Sequence, residues 1–317
     1  MKKVKDGIMG VVIGDALGVP YEFKPRKYFD ENPVNSMDGY GTHNQPAGTW
    51  SDDSSLTLAT LDSLTNGIDY EDMMKKFYAW FMDSDYTATG EIFDMGITTR
   101  TAIIDYGNGK NPIMCGGNGE RDNGNGSLMR ILPIAYYLEE NCMDMDKQIE
   151  IIHNLSALTH RHIRSQMACG IYVNIAWKLI NNDSGIGLED VIKNGISTAI
   201  EYYETRPECQ EELNNNFKRI VDGSIFDVSR DEILSSGYVT ATLEASIWCL
   251  THTNNFQDCV LTAVNLGHDT DTTAAVAGGL AGIYYGYDEI PIEWLEEIDQ
   301  IDDILNLCEN FEIKKNN

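Results

Sequence analysis

One all-α domain covering residues 1–317 is predicted from three features of this chain. Only 8 prolines interrupt 317 residues. Apolar side chains recur at three- and four-residue steps through most of the length, the spacing of helix faces. No stretch alternates with period two for long enough to promise a sheet. At 42% hydrophobic the chain can bury a sizeable core, and no linker, repeat or low-complexity tract divides it.

Each expected element has its own reason. Residues 3–17 carry Gly7, Gly10 and Gly14, with Gly18 just beyond, at steps of three, four and four. Glycine costs a helix about 1 kcal/mol against alanine, so a row of them predicts a helix packed closely against another backbone. The partner expected is 272–285, with Ala274, Ala277, Gly278, Ala281 and Gly282. A helix over 54–65 follows Asp52-Asp53-Ser54, a good N-cap environment. One over 127–140 follows Gly124-Asn125-Gly126-Ser127. Further helices are expected at 70–82, 94–106, 144–158, 163–181, 187–204, 209–221, 239–252, 255–265 and 292–309. The remaining stretches 19–50, 107–126 and 222–237 read as loops, the first two long enough to carry function.

Composition narrows the partners. A formal charge of −27 and a pI near 4.4 oppose non-specific nucleic-acid binding and docking on anionic membranes. Any anionic substrate needs local help from cations, helix N-termini or a few basic side chains. The seven cysteines, at 115, 142, 169, 209, 249, 259 and 308, form no CxxC, and an odd number of scattered thiols fits a reducing cytosol. The run Gly7–Val12 is too short and glycine-rich for a signal h-region. Thr272–Tyr285 falls short of the roughly 20 residues a bilayer demands. A cytoplasmic protein is expected, with a monomer favoured.

Two acidic clusters lie far apart in the chain, Ser51-Asp52-Asp53 and Asp269-Thr270-Asp271-Thr272, each opening a helical stretch. Either alone reads as helix capping. Together they supply carboxylates and hydroxyls, the oxygen donors of hard divalent cations. Folded together, they could hold two cations about 3.5–4 Å apart. Glu22 enters a loop after the first helix, where a carboxylate beside metals serves as general base or gate. Asp94 reads either as an N-cap or as a second such acid. The glycine-rich run ending at Asn125-Gly126-Ser127 could offer backbone N–H groups to phosphate oxygens. Arg130 reads as part of that site or as a structural ion pair. His160 and His162 sit two apart, a spacing that diverges on a helix, so a site wall or a helix stop is favoured over metal ligation. Tyr238 reads as a base-stacking ring or as core.

Taken in order and spacing, these segments resemble the ADP-ribosylglycohydrolase family. The match runs from Gly7 to about Gly286. Its anchors are Gly14-Asp15-Ala16-Leu17-Gly18 with Glu22, Ser51-Asp52-Asp53, Phe93-Asp94-Met95-Gly96, Gly124 to Arg130, Leu158-Thr159-His160, Gly237-Tyr238 and Gly267 to Thr272. The resemblance implies a compact orthogonal helical bundle with two Mg²⁺ ions, or Mn²⁺, in a central cleft. It implies Ser51, Asp52, Asp53, Asp269, Asp271 and Thr272 as metal ligands, and Asp94 and Glu22 as catalytic carboxylates, one of them the base that takes the proton of the attacking water. Asn125, Gly126, Ser127, His160 and Tyr238 would bind substrate. One departure is Ser51, where the family usually has threonine; the hydroxyl survives but the stiff β-branch is lost.

The implied activity is metal-dependent release of ADP-ribose from a modified acceptor by cleaving the bond at ribose C1″. Arginine on a protein is the acceptor the resemblance favours. Serine, nucleic-acid and O-acetyl conjugates, and immunity against an ADP-ribosylating toxin, stay open. A non-catalytic ADP-ribose binder, and a di-metal hydrolase of another ADP-ribose derivative, are the competing readings.

Overall fold

The computed structural model describes residues 3–141, 143–182 and 185–315. Its α-helices run in chain order as α1 (Val4–Gly18), α2 (Arg26–Glu31), α3 (Asp52–Leu64), α4 (Tyr70–Asp83), α5 (Ile97–Gly107), α6 (Pro133–Glu140), α7 (Met145–Ala157) and α8 (Ile163–Ile180). There follow α9 (Leu188–Glu204), α10 (Gln210–Asn215), α11 (Lys218–Val221), α12 (Val239–Thr251), α13 (Phe256–Val264), α14 (Thr270–Tyr285), α15 (Ile292–Glu297) and α16 (Ile301–Lys315). Among the described residues no strand forms, only three isolated backbone bridges. Cys142 lies outside the described residues; the other six cysteines are buried and free.

The centre of the molecule is the pair α1 and α14. Every residue of α1 except Lys5 is buried, as is α14 from Thr270 to Ile283. Such all-round burial marks core helices. They run antiparallel: Gly10 lies against Gly278, Gly14 against Ala274, and Gly18 against Asp271. A methyl group on Gly14 would sit 2.1 Å from the carbonyl oxygen of Ala274, so the two backbones approach as closely as the glycine row predicts. The surrounding helices are amphipathic. In α9, for example, Val191, Ile192, Gly195, Ile196, Ala199, Ile200 and Tyr203 face inward at helical spacing.

Several boundaries differ from expectation. The helices of the acidic clusters start two residues before the expected 54 and 272: α3 begins at Asp52 with Ser51 as N-cap, and α14 begins at Thr270 with Asp269 as N-cap. The 127–140 helix starts only at Pro133. Proline there needs no N–H partner and is preset for a first turn, so residues 126–130 stay as turns. The 94–106 helix starts at Ile97, leaving Asp94 in the preceding loop with φ +49°. The 209–221 helix breaks at Asn216 and Phe217. The 292–309 helix breaks near Gln300, whose φ is +51° and whose amide donates to the carbonyl of Thr87. The loop 19–50 contains α2, which starts after Pro25.

Candidate active site

Antiparallel packing sets the C-terminal end of α1 beside the N-terminal end of α14, and the start of α3 docks on both. Asp15, fully buried on α1, bolts α3 in place. Both its oxygens accept from the Ser51 N–H at 3.1 Å, and one also accepts the Ser54 N–H at 3.0 Å and Ser54 Oγ at 2.6 Å. A carboxylate at a helix N-terminus is favoured by the exposed N–H groups and the helix dipole. Asp53 ties the two clusters together. Its Oδ2 accepts from Ser51 Oγ at 3.2 Å and from Thr272 Oγ1 at 3.1 Å. Asp269 Oδ2 accepts from Asn125 Nδ2 at 2.7 Å. The turn holding Asn125 is itself pinned to the start of α12, with Asn125 N–H donating to Gly237 and Val239 N–H to Asn123.

Charge accumulates here without compensation. Carboxylate oxygens of Asp15, Asp53 and Asp271 lie within 4.8 Å of one another. A second group, Glu22, His43, Asp94 and Asp271, is equally close. Asp53 Oδ1 and Asp271 Oδ2 are buried with no hydrogen-bond partner among the described residues. Burial first, then mutual repulsion, pushes Asp52, Asp53 and Asp271 well above the ordinary carboxylate range. Glu22 moves the same way through burial, Asp94 and Asp269. Asp15 rises to about 6 through burial, moderated by its bonds to Ser54 and Ser51. Orphaned, buried, crowded carboxylate oxygens are costly alone, and they are the donor set a hard divalent cation takes. The site therefore fits the metals expected. Asp15 belongs to the frame, because hydrogen bonds already occupy both its oxygens.

The pH dependence of stability follows. An acid whose folded pKa exceeds its unfolded value penalises the fold above that folded pKa, and the penalty fades as pH falls toward the unfolded value. Asp15, Glu22, Asp52, Asp53, Asp269 and Asp271 are all of this kind. His153 and His160, lowered to about 4 and about 3 chiefly by burial, act oppositely below about pH 6.5. Six acids against two imidazoles set the sign. In EDTA the melting temperature should rise from pH 7 to pH 5, and saturating Mg²⁺ should remove the rise. Thermal melts at the two pH values check this; a fall in EDTA would contradict it.

Above the acids opens a cleft of about 230 Å³. Glu22, Asp52, Asp94, Asn125, Gly126, His160, Asp269 and Thr272 line it, while Ser51, Asp53 and Asp271 lie beneath. Two of the sequence candidates are placed elsewhere. Ser127 is fully buried, and its Oγ bonds to Ser156 Oγ at 2.9 Å and faces Cys169. Tyr238 caps the start of α12 with its hydroxyl held by Arg164, so Gly237 rather than the ring reaches the cleft. Among the described residues Arg130 makes no ion pair; its guanidinium donates to Thr159 Oγ1 and to the Leu155 carbonyl. His160 forms a cleft wall, and His162 caps α8 by accepting from the Arg164 N–H. Two residues were missed. Asp15 sits within the glycine row and could have been read as the acid nearest a helix crossing. His43, whose Nε2 lies 2.5 Å from Glu22 Oε2, is a lone histidine in a long loop with no local pattern to flag it.

Comparison with known proteins fits this geometry. The family model for ADP-ribosylglycohydrolase matches residues 1–317. The chain is similar to the ADP-ribosylarginine hydrolase Tri1 of Serratia proteamaculans (strain 568), 33% identical over 98% of this chain and 79% of that protein. It is also similar to the ADP-ribosyl-[dinitrogen reductase] glycohydrolase of Rhodospirillum rubrum, 28% identical over 92% of this chain and 88% of that one. A solved structure, an ADP-ribosylglycohydrolase-related protein complex, superposes with a TM-score of 0.73 at 28% identity, covering 98% of this chain and 96% of the other.

Proposed function

The chain belongs to the ADP-ribosylglycohydrolase family, and from that premise we propose that it removes ADP-ribose from arginine by hydrolysing the N-glycosidic bond at ribose C1″, with two Mg²⁺ ions bound. The observation that carries the reading is the pair of orphaned buried oxygens, Asp53 Oδ1 and Asp271 Oδ2, directly under a cleft. Ser51, Asp52, Asp53, Asp269, Asp271 and Thr272 would hold the cations. When bound, these supply Lewis-acid charge that orients the ribose hydroxyls and water and offsets the acidity of the floor.

The protein's own groups do the rest. Bonds at an anomeric carbon break through an oxocarbenium-like state, which needs a base for water on one side and an acid or stabiliser nearby. Asp94 is half-buried and lines the cleft, which supports its reading as the group that takes the proton of an attacking water. Glu22, buried and bonded to His43, holds the neighbouring position and keeps its proton more readily than a surface acid. Asn125 is fixed by Asp269 and Thr242, which holds the Gly124–Gly126 turn in place as the opposite wall. The relatives' names are what point to arginine as the acceptor.

A panel of ADP-ribosylated acceptors, linked through arginine, serine and nucleic acid, tests this with Mg²⁺ and with EDTA. Intact ADP-ribose should appear from the arginine conjugate and stop with EDTA. AMP plus ribose phosphate as products would replace the reading with pyrophosphate cleavage, and binding with no turnover of any conjugate would end it.

A further inference from the structure

The turn after Gly126 leads to a side chain that the proposed chemistry leaves unused. Arg130 is fully buried in a chain of net charge −27, yet among the described residues it has no carboxylate partner. Its Nε and one terminal nitrogen have no partner at all among the described residues. It is held over the Phe77 ring at 4.7 Å, and one nitrogen donates to the Leu155 carbonyl at 3.1 Å and to Thr159 Oγ1 at 2.7 Å. Burial lowers its pKa to about 10, so it stays charged at neutral pH. A bare buried guanidinium is costly, and what it touches leads to the cleft.

Thr159 Oγ1 also lies 3.0 Å from His160 Nδ1. Hydrogen-bond economy decides the direction. Arginine can only donate, so one lone pair of the threonine oxygen is taken. The single hydroxyl hydrogen then has one acceptor among the described residues, His160 Nδ1. Were Nδ1 protonated instead, that hydrogen would be buried unpaired, at a cost of about 1–3 kcal/mol. The imidazole is otherwise anchored through its main chain, with Ser156 Oγ donating to the His160 carbonyl at 2.9 Å. Its Cε1–Nε2 edge is turned toward Gly124 and Gly126, both of which line the cleft.

We propose that Arg130 is a positioning residue: acting through Thr159, it holds His160 neutral with its proton on Nε2, so that the wall opposite the acids presents a fixed donor to an acceptor oxygen of the substrate. On the hydrolase reading above, which this deepens, that oxygen belongs to the pyrophosphate. A neutral donor serves here because the wall then binds an anion without adding a cation beside the metal ligands.

The test is nitrogen spectroscopy of imidazole-labelled protein without substrate, together with steady-state kinetics. Wild type should show His160 Nδ1 as an unprotonated, hydrogen-bonded nitrogen. Thr159→Val, equal in shape, should move that signal to the unbonded position, and Thr159→Ser should restore it. Arg130→Met leaves the hydroxyl in place but frees its oxygen to accept from Nδ1–H, so the signal should fall toward a mixture of the two tautomers, while Arg130→Lys should keep it as in wild type; the Thr159 pair decides the matter if Arg130→Met does not fold. In kinetics, Thr159→Val should raise KM roughly tenfold at nearly constant kcat, the signature of lost uniform binding. A protonated Nδ1 in wild type, or a signal unmoved by Thr159→Val, overturns the relay whatever the activity. Correct signals with no affinity for ADP-ribose would uphold the relay and overturn the substrate reading.

Discussion

Asp271→Asn should abolish turnover while raising the melting temperature of the metal-free protein. The two effects share a cause. Asp271 is fully buried, its Oδ2 has no partner, and both close groups of acids include it. Its ionised form is disfavoured by burial first, then by Glu22 and Asp94. A neutral amide of the same shape removes that repulsion, so in EDTA the variant should melt higher than wild type at pH 7. The same change deletes a metal ligand. Partners one step removed from a metal commonly cost 10–100-fold, so loss of a ligand should exceed about a hundredfold. Added Mg²⁺ should stabilise wild type, by about 2.7 kcal/mol at a hundredfold excess over Kd, and leave the variant unmoved. Thermal melts with EDTA and with Mg²⁺, beside an ADP-ribose release assay, check all three. A variant that turns over normally, or that melts lower in EDTA, would remove Asp271 from the centre of the site.

Gly14→Ala should cost about 3 kcal/mol or more, the upper range for forcing atoms into a packed core. Most overpacking meets side chains that can turn aside. Here the new methyl meets backbone: the Ala274 oxygen at 2.1 Å, its carbon at 2.4 Å and the Ala275 nitrogen at 2.8 Å. The helices would have to part, and α14 would carry the start of its acidic cluster with it. Against a typical total of about 5–15 kcal/mol, the loss should show in urea or thermal unfolding, and in weaker Mg²⁺ binding. Gly187→Ala is the control, since among the described residues nothing lies within 4 Å of its added methyl. Equal stability of the two variants would contradict the close approach of α1 and α14.

What could be read from the chain alone follows the physics of each feature. The glycine row and the small residues of 272–285 announced their contact because only close backbones reward so many glycines. Ser51-Asp52-Asp53 and Asp269 to Thr272 were legible as clusters because neighbours in sequence stay neighbours at a helix start. Their meeting was an inference of chemistry, and Thr272 Oγ1 to Asp53 now joins them. Features set by tertiary contacts were not legible. His43 reaches Glu22 only through the path of a long loop. Tyr238 and Ser127 do not line the cleft, their hydroxyls being held by Arg164 and Ser156. Arg130 found a hydroxyl and a carbonyl in place of a carboxylate. Helix starts shifted where a stronger local signal competed, as Pro133 did with Ser127.

The seam between α1 and α14 also has a history on the ribosome. α1 is made before α14, and residues 19–269 must follow it before its partner exists. At 5–20 residues per second that wait is on the order of ten to fifty seconds. Throughout it, a helix that the fold buries on nearly every side, with a bare glycine edge, is without its mate. A chain stalled before residue 270 keeps that edge uncovered and never assembles the acids. Chaperone occupancy on stalled chains should therefore concentrate on residues 4–18 and vanish once α14 emerges.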